Sequence, residues 1–252
     1  MKILLLGHNG NLGSFLTMRL SPDVLTSREV YCNGVDYDYV INCIGRADFD
    51  YCEEHKEESD YSNRDVVLDI QKWYPTSKII NFSSYFVYDS VGLCTEDSPV
   101  THKYNYTRQN LEKEQLVKNG VSFRLGKPFG HPQLSKQSKL TEYIIQNDDL
   151  FLDDVTFNPV SLAQIYKVIL YEIRMRDLHG IYNLANNNLT TPFEYGAFIN
   201  RMMGTSKKIT RVNEIKRTFH NNGRFTMSLD KLRKLVHLTD WQDDMITYLK
   251  SL

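Results

Sequence analysis

The segment "KILLLGHNGNLGSFLTMRL" (2–20) constrains the fold more than any other. An unbroken apolar run, Ile3–Leu6, leads straight into glycines at 7, 10 and 13, and then into Leu12, Phe15, Leu16 and Leu20 at helical spacing. A short run with no polar alternation suits a strand buried on both faces, as in the interior of a parallel sheet. Gly7 permits the tight turn that follows, Gly10 lets backbone approach a diphosphate, and Gly13 lets the helix pack close to the sheet. The helix start offers free N–H groups and partial positive charge to such a group. Strand, glycine loop and helix in this order predict a dinucleotide site, with Gly7, Asn9, Gly10, Asn11 and Leu12 in the loop.

The same alternation continues along the chain. "DVLTSR" (23–28), "YVINCIG" (39–45), "KIINFSS" (78–84) and "VSFRLG" (121–126) read as further strands. One long helix is expected over 53–74, burying Tyr61, Val66, Val67, Ile70 and Trp73, and another over 104–118, stopped by Asn119-Gly120. Ser161 to Gln164 fits a capping box opening a helix with Leu162, Ile165, Ile169 and Ile173 inward. "IYNLAN" (181–186) reads as a strand, and Thr191 to Glu194 as a second capping box with Pro192 at the first helical position. "TDWQ" (239–242) opens a last helix that carries Trp241, Met245, Tyr248, Leu249 and Leu252. The expected fold class is α/β: a Rossmann-type doubly wound parallel sheet with a smaller mixed C-terminal substrate lobe. The soft boundary falls after 128, giving a dinucleotide-binding core over 1–128 and a lobe over 129–252 that returns some elements to the core sheet.

Composition narrows the class without naming a reaction. Net charge is −1 over 252 residues, so no bulk pull toward nucleic acid or an anionic membrane is expected. The four cysteines, Cys32, Cys43, Cys52 and Cys94, have no zinc spacing and form no C-x-x-C pair, which suits free thiols in a reducing cytoplasm. The opening apolar run is too short for a signal peptide, and no later run reaches membrane-spanning length. The histidines His8, His131, His179 and His220 show no partner pattern, and no metal is expected.

The second strand runs into Ser27 and Arg28. A hydroxyl and a guanidinium suit a ribose 2′-phosphate better than a free 2′-hydroxyl, so NADP(H) is the preferred cofactor and NAD(H) the alternative.

Several stretches in order resemble the extended short-chain dehydrogenase/reductases, most of all the dTDP-4-dehydrorhamnose reductase branch. They are "KILLLGHNGNLG", "VINCIGRADFDYCEEHKEESDYSNRDVV" (40–67), "NFSSYFVYD" (81–89), "GIYNLANNNLTTPFEYGAFI" (180–199) and "LTDWQDDMITYLKSL" (238–252). The resemblance implies that Cys43, Ile44, Gly45 and Asn63 join the cofactor site. It also implies a serine or threonine working with a Tyr-x-x-x-Lys pair. Ser84 matches the hydroxyl, Tyr104 the tyrosine, and Arg108 stands where lysine is expected. Tyr104 would give its proton to a ketone oxygen, Ser84 would hydrogen-bond the developing alkoxide, and Arg108 would stabilise the phenolate and reach the cofactor ribose.

Three departures accompany the match. Phe15 stands where some members carry a magnesium-binding glutamate. Tyr85 replaces a strand-end aspartate near the substrate. Lys127 replaces an aromatic residue, and would meet either the substrate diphosphate or the nicotinamide ribose. Arg217 and Arg224 fall where the branch has basic residues near the substrate, and Arg224 is taken as a substrate contact. The implied activity is NADPH-dependent reduction of a 4-keto group on a nucleotide-linked deoxysugar, for polysaccharide sugar biosynthesis. The alternatives are a nucleotide-sugar 4-epimerase and a non-catalytic NADP-binding regulatory protein, the latter favoured by Arg108. The implied partners are a nucleotide sugar and a second copy of the chain in a homodimer, with neither nucleic acid nor membrane.

Overall fold

The computed structural model describes residues 1–24, 30–133, 136, 138–213 and 225–252. In chain order the first elements are β1 (Ile3–Leu6), α1 (Asn11–Leu20), β2 (Asp23–Val24), β3 (Tyr39–Asn42), α2 (Phe49–Glu54), α3 (Lys56–Asp60), a π-helical turn (Tyr61–Asp65) and α4 (Val66–Trp73). Next come β4 (Lys78–Ser84), a 3₁₀ turn (Tyr85–Val87), β5 (Gly92–Cys94), α5 (Asn105–Leu116), β6 (Gly120–Leu125), β7 (Lys127–Phe129), α6 (Lys139–Gln146), β8 (Asp149–Leu152) and β9 (Pro159–Ser161). The chain ends with α7 (Leu162–Met175), β10 (Gly180–Leu184), α8 (Pro192–Met202), β11 (Lys208–Arg211), β12 (Phe225–Met227), α9 (Asp230–Arg233) and α10 (Trp241–Leu249).

The chain divides into two compact units, and neither is continuous in sequence. The first takes Met1–Asp89, Pro99–Arg124 and Val168–Tyr182; the second takes Ser90–Ser98, Leu125–Lys167 and Asn183–Leu252. The first unit takes back 168–182 from beyond residue 128 and gives up 90–98.

In the first unit the sheet runs in the order β10-β6-β4-β3-β1-β2, and the pairs β1–β2, β1–β3 and β3–β4 are parallel. This is the doubly wound α/β class expected from the apolar runs. Every residue of β3 and β4 is buried, which is why those strands lack polar alternation. One face of the sheet packs Leu4, Leu6, Val40 and Ile79 against Val66, Val67 and Ile70 of α4. Because β1 is flanked by β2 on one side and β3 on the other, the chain winds in opposite directions from it. In sheets of this topology a ligand crevice lies at the carboxyl ends of the strands at such a switch point.

The long helix expected over 53–74 is three helices and a π turn. Asp48 caps α2 by accepting a hydrogen bond from the Tyr51 N–H at 3.1 Å, so helix begins four residues early. His55 then leaves helical geometry at φ −123° and breaks the run. Trp73 lies at the rim with Lys72 over its ring at 4.6 Å, and Tyr61 is half-buried with its hydroxyl on Asp69; neither is a core residue.

The second unit holds three two-stranded parallel ladders, β11–β8, β12–β5 and β7–β9. Its core gathers Phe129, Ile144, Leu150, Leu152, Phe157, Tyr195, Trp241, Met245 and Tyr248. Of the two expected capping boxes, the one at α8 forms, with Thr191 and Glu194 paired reciprocally; at Ser161 only half forms, Oγ accepting from Gln164 N at 2.8 Å while Ser161 N donates to Asn186 Oδ1. Leu252 is exposed rather than part of the α10 face. Among the described residues no helix is long and apolar enough to cross a membrane.

Candidate active site

The crevice is built from the loop after β1 and the loop after β3, both in the first unit. Gly7 adopts φ +78°, and a Cβ there would stand 2.6 Å from the carbonyl carbon of Cys43, so the loop after β1 rests directly on the end of β3. A Cβ on Gly13 would stand 2.1 Å from the Gly7 carbonyl oxygen, which holds α1 close under the loop. Gly10 differs from both. It is exposed, it caps α1 without any side-chain hydrogen bond, and a Cβ there would meet only the Gly7 oxygen, at 3.5 Å. No acidic side chain lies in the first turn of α1. Asn9 and Asn11 are exposed beside Gly10, and Leu12 is half-buried. The result is an open helix N-terminus suited to an anion. Gly13→Ala forces α1 away from Gly7 and is expected to weaken NADPH binding about tenfold or more, roughly 1.4 kcal/mol per factor of ten, read by fluorescence titration.

On the other side, Cys43 and Ile44 are half-buried and Gly45 is exposed. Burial pushes the Cys43 thiol far above its usual range, so it is an inert wall. Asn63, expected to touch the cofactor, is buried, and its amide is spent inside the protein. Its oxygen accepts from Arg46 N at 2.6 Å, and its nitrogen donates to Arg46 O at 3.1 Å and to Gln109 Oε1 at 2.8 Å. The π turn thus aims Asn63 at the loop after β3 and pins that loop to α5. Asn63 shapes the crevice from behind.

Ser84 ends β4 and caps the 3₁₀ turn, accepting from Phe86 N at 3.3 Å. With a lone pair engaged there, its O–H remains a donor. The Ser84 hydroxyl lies close enough to the Tyr106 phenol to lower its pKa. The side-chain amide of Asn110 donates to the Tyr106 backbone oxygen at 2.8 Å. Burial raises the Tyr106 pKa, and the Ser84 and Asn110 side chains offset that only in part. Phe49 packs on Tyr106 with ring centroids 4.6 Å apart, and Phe86 lies 5.2 Å from Phe49.

Tyr104 is the residue before the first turn of α5, half-buried, with its ring edge-on to Phe49 at 6.0 Å and Lys103 over its face at 5.2 Å. Arg108 is half-buried. Its guanidinium pairs with Asp60 at 2.6 Å and Glu112 at 2.8 Å and bonds Asn105 Oδ1. Arg64 joins the same carboxylates, so the four charges brace the π turn against α5. Arg108→Met is expected to cost about 1 kcal/mol in stability while leaving turnover within about twofold, as checked by urea denaturation and a steady-state assay.

The remaining expected residues are dispersed. Tyr85 is half-buried beside Phe86, with centroids 4.3 Å apart. Lys127, in the second unit, sits over the Phe157 ring at 5.5 Å. Ser27, Arg28, Arg217, His220 and Arg224 lie outside the described residues. Among the described residues no group of three or more His, Cys, Asp or Glu side chains could hold a metal ion. Tyr106, not singled out in the sequence, lies near Ser84. Arg108 and Glu112, spaced as an i,i+4 ion pair, mark the solvent face of α5 and so place its inward stripe elsewhere.

The family model described as RmlD substrate binding domain matches residues 1–252. No curated protein matches the chain. Among solved structures, a dTDP-4-dehydrorhamnose reductase from Clostridium acetobutylicum superposes with a TM-score of 0.85 at 20% identity, over 99% of each chain. One from Yersinia enterocolitica gives 0.83 at 18% identity, also over 99% of each. One from Bacillus anthracis, in complex with NADP, gives 0.81 at 15% identity over the whole of both chains. At these identities the likeness is one of fold.

Proposed function

The chain belongs to the RmlD substrate binding domain family, and from that membership and the geometry of the crevice we propose that it is an NADPH-dependent reductase of a 4-keto group on a nucleotide-linked deoxysugar. The observation that carries this reading is the bare, exposed start of α1 behind the glycine loop, held in the same unit as Ser84 at the end of β4 and Tyr104 and Tyr106 at the start of α5. The Bacillus anthracis relative is bound to NADP, and the bare N-terminus of α1 suits a pyrophosphate. Bound NADPH would supply the hydride.

The chain's own groups divide the remaining work. Gly7, Asn9, Gly10, Asn11 and Leu12 line one side of the cofactor; Cys43, Ile44 and Gly45 line the other. Ser27 and Arg28 are taken as the contacts to the 2′-phosphate. Ser84 donates to the ketone oxygen and steadies the negative charge that develops on it. Tyr106 delivers a proton to that oxygen as the carbon gains hydride, and the phenolate left behind takes a proton from solvent. Phe49 and Phe86 pack around the phenol and limit water beside it. Tyr85, Lys127 and Arg224 are the proposed substrate contacts, with the second unit as the substrate lobe. Residence in the cytoplasm and pairing as a homodimer complete the reading.

The test is loss of NADPH absorbance with a dTDP-linked 4-keto-6-deoxy sugar. Substrate-dependent oxidation of NADPH with formation of the 4-hydroxy sugar is expected. Cofactor binding without turnover across a panel of 4-keto sugar nucleotides would sink the proposal.

A further inference from the structure

Arg46, in the loop after β3, carries a free cation on backbone that is held fixed. Asn63 grips that backbone from both sides, accepting from Arg46 N at 2.6 Å and donating to Arg46 O at 3.1 Å. The Cys52 thiol donates to the same oxygen at 3.5 Å. The residue itself is exposed. Its guanidinium lies over the Tyr51 ring at 4.0 Å, and the His55 ring stacks on Tyr51 with centroids 4.3 Å apart and planes 13° from parallel.

Arg64, Arg108, Arg124 and Arg176, in the same unit, are each held by a carboxylate. Arg46 has no carboxylate partner among the described residues. Asp48, two positions on, accepts from the Tyr51 N–H at 3.1 Å instead. Stacking covers the flat face of a guanidinium and leaves its in-plane N–H donors for an anion, and that fork matches a phosphoryl group. The glycine loop is the nearest place for one. Its Gly7 turn rests on the Cys43 carbonyl, and three residues of chain span at most about 11 Å, so Arg46 stands within that reach of the contact. The start of α1 supplies about half an elementary charge, and its one arginine, Arg19, lies in the last turn. A doubly anionic diphosphate laid there is short of positive charge.

We infer that Arg46 is a phosphate-binding residue of the crevice, its fork donating to a nucleotide diphosphate while its face stays on Tyr51. The clamp by Asn63 and the stack on Tyr51 order the residue before any ligand arrives, so little freedom is lost when the anion binds. The same chemistry has two sources, the diphosphate of NADPH and the diphosphate of the nucleotide sugar, and binding of each is measurable by itself. The inference rests on the reading of this crevice as a nucleotide site, but its measurements need no turnover.

The experiment titrates the full chain with NADPH, by fluorescence, and with dTDP, by calorimetry, beside thermal unfolding of each variant. Arg46→Ala is expected to weaken one of the two ligands about 10–100-fold, the worth of a hydrogen bond to a charged group, with Tm unchanged. A loss confined to NADPH assigns the cofactor diphosphate, and a loss confined to dTDP assigns that of the substrate. Arg46→Lys keeps the charge without the fork and should recover part of the loss; Arg46→Gln, which is neutral, should recover none. Tyr51→Leu removes the platform alone and should weaken the same ligand about threefold. An Arg46→Ala protein that binds both ligands like wild type overturns the inference. So does full recovery by Arg46→Gln, because the charge would then be idle. Failure to reduce any 4-keto sugar nucleotide, with the titrations as expected, overturns only the reductase reading.

Discussion

Replacing Tyr106 with phenylalanine is expected to lower turnover roughly 10²–10⁴-fold, the usual worth of a positioned general acid. NADPH affinity should stay close to wild type, because the change removes one oxygen and leaves the ring against Phe49. Tyr104→Phe should stay within a few-fold of wild type. Its ring meets Phe49 edge-on at 6.0 Å with Lys103 over its face, and its backbone closes the first turn of α5 through Thr107. The two variants differ by the same single atom on the same helix end, so a common loss of folding does not explain a difference between them. Steady-state rates on both proteins, beside NADPH titrations, make the comparison. Equal activity of Tyr106→Phe and wild type would remove the phenol from the mechanism.

Arg124→Met is the second large effect, and it is read in stability. Arg124 and Glu114 have side chains 4% and 2% exposed and are joined by two hydrogen bonds, at 2.9 and 2.7 Å. Ser83 Oγ donates to the same carboxylate at 2.5 Å, so Glu114 ties α5 to β4 and β6. Removing the arginine leaves a buried carboxylate with one hydroxyl donor. The expected cost is about 3–5 kcal/mol, or roughly 10 °C in Tm for a chain of this size. The double variant Arg124→Met with Glu114→Leu should recover most of the loss, since replacing both members of a buried pair avoids the stranded charge. Thermal unfolding of wild type, single and double variants measures it. A single variant that melts with wild type would mean that the pair contributes little.

Much of the first unit was readable from local pattern. β1 and β3 are almost wholly apolar, and that property is printed in the residues themselves. The glycines at 7 and 13 are needed because backbone approaches within a Cβ radius, which motif spacing reports well. The caps at Ser161 and Thr191 were legible because a hydroxyl three residues before a partner is a one-turn contact. The ladders β5, β7, β8, β9, β11 and β12 were not, because each is three or four residues long and is defined only by its pairing. The break at His55 was also hidden, since α2 and α3 are separately capped pieces of what looks like one acidic helix.

The site shows the same division at the scale of single side chains. Tyr104 stands in extended backbone just before α5 and Tyr106 lies in its first turn, and both rings meet Phe49. Both satisfy a short motif with a residue four further on, Arg108 for one and Asn110 for the other. Which phenol meets Ser84 depends on how α5 is rotated against the sheet, and that rotation is set by distant groups: Asn63 on Gln109, Glu53 and Cys52 on Asn105, and Arg124 on Glu114. The sequence by itself determined the parallel α/β class, the diphosphate-ready loop and the serine at the end of β4, because each depends on residues close in the chain. Only the tertiary structure decided that Asn63 is spent on Arg46 and Gln109 and that Arg108 pairs with Asp60 and Glu112. Those outcomes turn on which face of a helix is buried, and contacts between residues some forty to sixty positions apart, such as Asn63 with Gln109 and Asp60 with Arg108, choose it.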